Sequence, residues 1–196
     1  MNVYRPRVRA IAKPVSLDEL PERVVIVDTE TTGLQRTARL VEVAAVLIER
    51  GKVIETWSTL VDPQMRIPWE VTRIHQITDA MVRGAPDARH AIDALRERVQ
   101  DTPVVMHNAS FDLRILAQES LRLGIDPPMS RALCTMKLAR ETFVGLASYR
   151  LSYLAYTLAL VQTVSHRAQA DAMVTAQLYE RIVRTKREAQ PGYVAG

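Results

Sequence analysis

Apolar positions follow two different rhythms along this chain. Val24–Val27 reads VVIV and continues directly into Asp28, Thr29 and Glu30. A short run apolar on both faces predicts a strand in the middle of a sheet, Val24–Glu30. The stretch LVEVAAVLIERGKVIETWSTLVDP (40–63) predicts two more strands with a turn near ERGK. Their separation is too short for a helical crossover, so they pair antiparallel. TPVVMHN (102–108) predicts a fourth strand, and ALCTMKLARETF (132–143) a short strand that leads into a helix. Helical spacing governs PWEVTRIHQITDAMVRG (68–84), PDARHAIDALRERVQ (86–100), SFDLRILAQESLRLG (110–124, ending at Gly124), YRLSYLAYTLAL (149–160) and AQADAMVTAQLYERIVRTKRE (168–188). A meander of three strands followed by strands alternating with helices is an α/β architecture. The expected core is a mixed five-stranded sheet, antiparallel and then parallel, flanked by helices.

Composition narrows this picture. The 196 residues are 47% hydrophobic and 24% charged, as in an ordinary globular domain. With no repeat or Gly/Ser linker, the chain divides into a basic, Pro-containing extension (1–22), one folded domain (23–188) and a short tail (189–196). SLDELPE (16–22) predicts one helical turn inside the extension. No apolar run approaches the roughly 18 residues of a membrane span, and no secretory signal opens the chain. The single cysteine, Cys134, forms no internal disulfide. A cytoplasmic protein without a membrane partner is therefore expected. The formal net charge of +4 is compatible with a polyanionic partner and does not specify one.

The acids are more specific. In a strand, residues i and i+2 share a face, so Asp28 and Glu30 project side by side. Two carboxylates that close repel each other, and burial makes their ionisation costlier still. A divalent cation with a preference for oxygen ligands relieves both effects. An isolated D-x-E is as often a pair of solvated strand-end acids, so further carboxylates are needed. Asp112 lies at the edge of the apolar stripe Leu113, Leu116, Ala117, Leu121, and Asp171 lies against the stripe Ala168, Ala172, Ala176, Tyr179, Val183. Each sits near a helix start, where it is either a charge placed on the helix dipole or a ligand.

DTETTG (28–33), HNASFD (107–112) and HRAQAD (166–171) resemble, in order and spacing, the three exonuclease motifs of the DEDDh superfamily, the DnaQ-like 3′–5′ exonucleases. IHQIT (74–78) and YRLSYLA (149–155) extend the resemblance, which covers roughly residues 24–185. It implies a ribonuclease-H-like fold, two divalent cations (Mg2+ or Mn2+) held by Asp28, Glu30, Asp112 and Asp171, and His166 as general base. It also implies that Thr31, Thr32, Leu34, His75 and Phe111 line the site of the terminal nucleotide. Many relatives carry Asp at the position of Cys134, outside the metal quartet, so Cys134 is read as structural. Replicase subunits of the family carry a long C-terminal polymerase-binding segment. The short tail here does not support a DNA polymerase partnership, although it leaves one open.

His166 precedes Asp171 by five positions, which on a continuous helix is a turn of about 140° between them. His166 is therefore expected in the loop or first turn before the last helix, free to approach the metals. An imidazole, with an ordinary pKa near 6.5, suits proton abstraction close to neutral pH. Asn108 is expected as a helix N-cap. Arg73, Arg150 and Arg167 are candidate phosphate contacts. The expected activity is metal-dependent hydrolysis of single-stranded DNA from the 3′ end, releasing nucleoside monophosphates. One alternative is the same chemistry on RNA ends or short oligoribonucleotides, because that choice rests on contacts to the 2′-OH. Another is an inactive nuclease-fold module that binds nucleic acid or acts as a scaffold.

Overall fold

The computed structural model describes residues 9–10, 20–161 and 166–189. Most of the basic extension, the SLDELPE turn up to residue 19, and the tail beyond 189 lie outside the described residues. The strands are β1 (Arg9–Ala10), β2 (Arg23–Thr31), β3 (Leu40–Glu49), β4 (Lys52–Leu60), β5 (Val104–Met106) and β6 (Arg131–Cys134). The helices are α1 (Trp69–His75), α2 (Asp79–Val82), α3 (Ala88–Val99), α4 (Ser110–Leu123), α5 (Thr135–Thr142), α6 (Leu151–Thr157) and α7 (Ala168–Glu188).

The sheet order is β1-β6-β5-β2-β3-β4. β2, β3 and β4 form the expected antiparallel meander, while β5 and β6 run parallel to β2. The five strands read from the sequence are thus present in a mixed sheet flanked by helices. β1, two residues of the basic extension, adds a parallel partner to β6 at the edge. β2 is central because its VVIV run is apolar on both faces. Val25 and Val27 pack with α3 and α4, and Val24 and Ile26 pack with α5, α6 and α7. Cys134 is buried in the first of these layers, as its structural reading requires. Among the described residues, no helix is long and apolar enough to cross a membrane.

Three local expectations change. The single helix read across 68–84 is broken, because Gln76 turns left-handed (φ 61) and ends α1 before α2 begins. Asn108 is not the N-cap of α4. It adopts φ 54, and its carbonyl accepts the Phe111 N–H at 2.9 Å, which turns the chain sharply out of β5. The apolar stripe on α4 is also rotated. Leu121 is 55% exposed, whereas Glu119 is fully buried. The Glu119 carboxylate draws that face inward: it accepts Arg39 Nε–H at 2.8 Å and the Leu40 N–H at 3.1 Å, and pairs with Arg122 at 3.1 Å.

Removing one partner of a buried charge network leaves the others desolvated and unpaired. Glu119→Ala is therefore expected to cost about 3 kcal/mol in urea unfolding. A loss below about 1 kcal/mol would mark the two arginine contacts as solvated surface pairs.

Candidate active site

The alternation that buries Val24 and Ile26 against α7 carries on to the next two positions of that face, Asp28 and Glu30. The start of α7 meets them there. Ala168, Ala172 and Ala176 are among its buried residues in the core that α7 shares with β2, and such small side chains let a helix backbone approach closely. Asp171, in the first turn of α7, completes a group: Asp28, Glu30 and Asp171 each place one carboxylate oxygen within 4.8 Å of the others.

Asp112 approaches from the other layer. It is 3% exposed in the first turn of α4, and its Oδ1 accepts the Thr29 hydroxyl at 2.7 Å. Thr29 points to the opposite face from Asp28 and Glu30, so β2 addresses acids on both of its sides. Asp112 is not one of the three mutually close acids. Its charge nevertheless reaches Asp28.

Desolvation and crowding act together on these groups. Burial, then the charges of Asp112, Glu30 and Asp171, hold the Asp28 carboxyl well above the usual carboxylate range. Burial and then Asp171 and Glu42 push Glu30 to about 8. Burial raises Asp112 to about 7, against the Thr29 hydrogen bond. Asp171 is raised by burial and partly relieved by His166. Such shifts mean that ionising these acids together is costly unless a positive charge joins them. Arg167, which also reaches Glu30, is bound to Glu42 instead, with Nε–Oε2 at 3.1 Å and Nη2–Oε1 at 2.6 Å. No ion pair to Asp28, Glu30, Asp112 or Asp171 occurs among the described residues. A hard, all-oxygen and uncompensated donor set fits magnesium or manganese.

Glu42 is the residue that sequence reasoning missed. It is 2% exposed and lies opposite Glu30 in the β2–β3 ladder. Besides Arg167 it accepts the Ala168 N–H at 2.9 Å, so it anchors the first turn of α7 beside the acids. The signal was a lone glutamate in the otherwise apolar LVEVAAVLI. Arg167, weighed above as a phosphate contact, is committed to this anchor. His166 stands just outside α7, exposed and left-handed at φ 59, with its backbone N–H 3.2 Å from Asp171 Oδ2.

The other expected residues surround this cluster unevenly. The Thr31 hydroxyl donates to the Gly33 carbonyl at 2.7 Å, and Thr32 Oγ1 accepts the Arg39 N–H at 2.9 Å. Gly33 itself holds φ 151, a conformation that side-chain-bearing residues rarely adopt. Both threonine hydroxyls therefore shape the turn, and Leu34, 79% exposed, is what the turn presents outward. His75 is buried at the end of α1, and its Nδ1 accepts the Ile77 N–H at 3.0 Å. Burial depresses its pKa, and it senses Glu42, Arg167 and His166. Phe111 is half-buried at the start of α4, with the Arg114 guanidinium 5.2 Å from its ring centre. His107 bridges the Thr135 hydroxyl and the Tyr149 carbonyl at 3.0 Å each, a structural tie between β5 and the α5–α6 side.

A family model described as Exonuclease (RNase_T) matches residues 25–179. The chain is 34% identical to the DNA polymerase III subunit epsilon of Treponema pallidum (strain Nichols), over 80% of this chain and 74% of that relative. It is 35% identical, over 81% of its length, to a protein of Mycobacterium tuberculosis named as a bifunctional exonuclease/endonuclease, and spans only 26% of that relative. It spans 11% of the PolC-type DNA polymerase III of Clostridium perfringens. Among solved structures, Exonuclease X in complex with 5′ overhanging duplex DNA superposes with a TM-score of 0.69. Identity to it is 36%, over 83% of this chain and 92% of that one.

The raised carboxyls set the pH response of the metal-free protein. Unfolded, Glu30 ionises near 4.5, and folded it does so near 8. Between those values the folded state holds a proton that the unfolded state has released, so stability falls as pH rises through the window. In EDTA, the wild type is expected to lose more stability from pH 5 to pH 8 than Glu30→Gln, measured by urea unfolding. Parallel curves would contradict the crowding of these acids.

Proposed function

The chain belongs to the RNase_T exonuclease family, of DnaQ-like type, and on that premise we propose that it removes nucleoside monophosphates from the 3′ end of single-stranded DNA. The observation that carries this reading is the group Asp28, Glu30 and Asp171, with oxygens within 4.8 Å of one another at the end of the central strand. Asp112 stands beside it from the opposite layer. These four carboxylates would hold two divalent cations, which when bound supply an acidified water and neutralise charge on the transferring phosphate. The DNA substrate is supported by the Exonuclease X complex with DNA and by the DNA polymerase names of the relatives.

The chain's own residues have distinct tasks. Asp28 and Glu30 are immobilised by a strand covered on both faces, so the ligand positions are set before substrate arrives. Glu42 and Arg167 fix the first turn of α7, and with it Asp171 and the left-handed His166. The exposed imidazole of His166 removes the proton from the water that attacks phosphorus. The bond from phosphorus to the 3′-oxygen of the preceding nucleotide breaks, and that oxygen takes up a proton to leave as a new 3′-hydroxyl. Leu34 and Phe111 offer apolar surface to the terminal base, while Thr31, Thr32 and His75 shape the pocket floor.

The test uses 5′-labelled oligonucleotides of DNA and RNA, single- and double-stranded, with magnesium or manganese. Single-stranded DNA is expected to shorten stepwise from its 3′ end, and Glu30→Gln to lose most turnover. His166→Ala is expected to slow the single-turnover rate by about 10²–10⁴-fold while still binding the strand. Release of the labelled terminal nucleotide as first product would reverse the assigned direction. Faster degradation of RNA would move the substrate class. A His166→Ala protein with an unchanged rate would remove it from the chemistry.

A further inference from the structure

Large exposed apolar side chains are carried by two segments that meet beside this site: Leu34 at 79% on one, and Met65 at 46%, Trp69 at 63% and Ile74 at 51% exposure on the other. The segment that carries the last three is not loose. Ile67, Ile77 and Val82 close a small core with Val41 at the start of β3, and the Ile67 N–H is held by Asp79 Oδ1 at 2.8 Å. One end of the segment meets the site through Met65, whose sulfur lies 4.0 Å from the Thr32 hydroxyl. The other end is His75, buried beside the Thr31 backbone. A rigid, well-packed segment thus displays an indole to solvent, which costs hydration free energy unless something covers it.

The charge around the indole says what covers it. Arg73, one helical turn after Trp69, holds its guanidinium 5.3 Å from the indole centre. Arg73, and Arg66 three positions before Trp69 in the chain, are exposed, and neither has a carboxylate partner within 4.0 Å among the described residues. Against them, α1 carries one acid, Glu70. An exposed indole with an unpaired guanidinium beside it suits a stacked base with its phosphate, because stacking is tolerant of sequence and the cation tracks the backbone.

We propose that Trp69 and Arg73, with Met65 and Arg66, form a stacking platform for the nucleotides that precede the terminal one on a single DNA strand. The platform extends the terminal-nucleotide site of the Leu34 turn by way of the Thr32–Met65 contact. It makes the enzyme favour strands long enough to reach Trp69 over the shortest substrates. This inference rests on the exonuclease reading above and deepens it.

Binding and turnover are measured separately so that the two readings can fail separately. Anisotropy of a labelled oligo(dT) of about eight nucleotides, in EDTA, reports strand binding without hydrolysis. Trp69→Ala is expected to weaken it about 5- to 100-fold, Arg73→Ala to weaken it with a reduced salt dependence, and Trp69→Phe to restore most of it. In the hydrolysis arm, KM for the long strand rises in Trp69→Ala, whereas the dinucleotide, which occupies the Leu34 turn and His75 without reaching Trp69, is affected far less. Unchanged anisotropy in Trp69→Ala would overturn the platform. So would equal losses on dinucleotide and long strand. A wild type that binds the strand and hydrolyses neither substrate would instead overturn the exonuclease reading and leave the binding result to stand or fall alone. Trp69 is solvent-exposed, so the variants are expected to melt with the wild type.

Discussion

Repulsion between carboxylates is the constraint on which the site depends. Four acids converge on the end of one central strand, and a fifth, Glu42, lies directly across the ladder from Glu30. Left to themselves such groups would stay apart in water, where each is fully hydrated. They stay together because the sheet beneath them is covered on both faces. The apolar burial of Val24–Val27 and of α4 and α7 fixes the backbone that carries them. The raised carboxyls reflect that tension, and in the function proposed above divalent cations relieve it.

The same constraint explains how the flanking elements are built. Alanines at 168, 172 and 176 bring α7 against the sheet, so Asp171 arrives where Asp28 and Glu30 already point. A helix start pushed toward acids needs an anchor, and Glu42 supplies it through Arg167 and the Ala168 N–H. Glu42 is thereby neutralised by a guanidinium, while the other acids are not. That division separates a structural carboxylate from the acids that have no guanidinium partner among the described residues. On the opposite layer, Thr29 uses its hydroxyl to hold Asp112 in register with the strand.

Much of this was legible in the sequence because it follows from period and spacing. Alternation placed Asp28 and Glu30 on one face. The five-residue step from His166 to Asp171 placed the histidine off the helix, where φ 59 now shows it. What sequence did not reveal depends on partners distant along the chain. Glu42 is an ordinary strand glutamate until Arg167, 125 residues away, reaches it. Glu119 looks like a solvated helix position until Arg39 and Leu40 arrive, and their pull is what leaves Leu121 exposed. The left-handed turns at Gln76 and Asn108 carry no glycine, so nothing local announced them.

The central claim is that these acids are a cation site held open by the fold. Titration calorimetry with manganese at neutral pH, repeated in buffers of different ionisation enthalpy, tests it most directly. Binding should be saturable and should release protons, because the carboxyls of Glu30 and Asp112, raised to about 8 and about 7, must give theirs up. Asp28→Asn and Glu30→Gln should each lose most of that uptake. Saturable binding that is unchanged in both variants, or no saturable binding at all, would contradict the account.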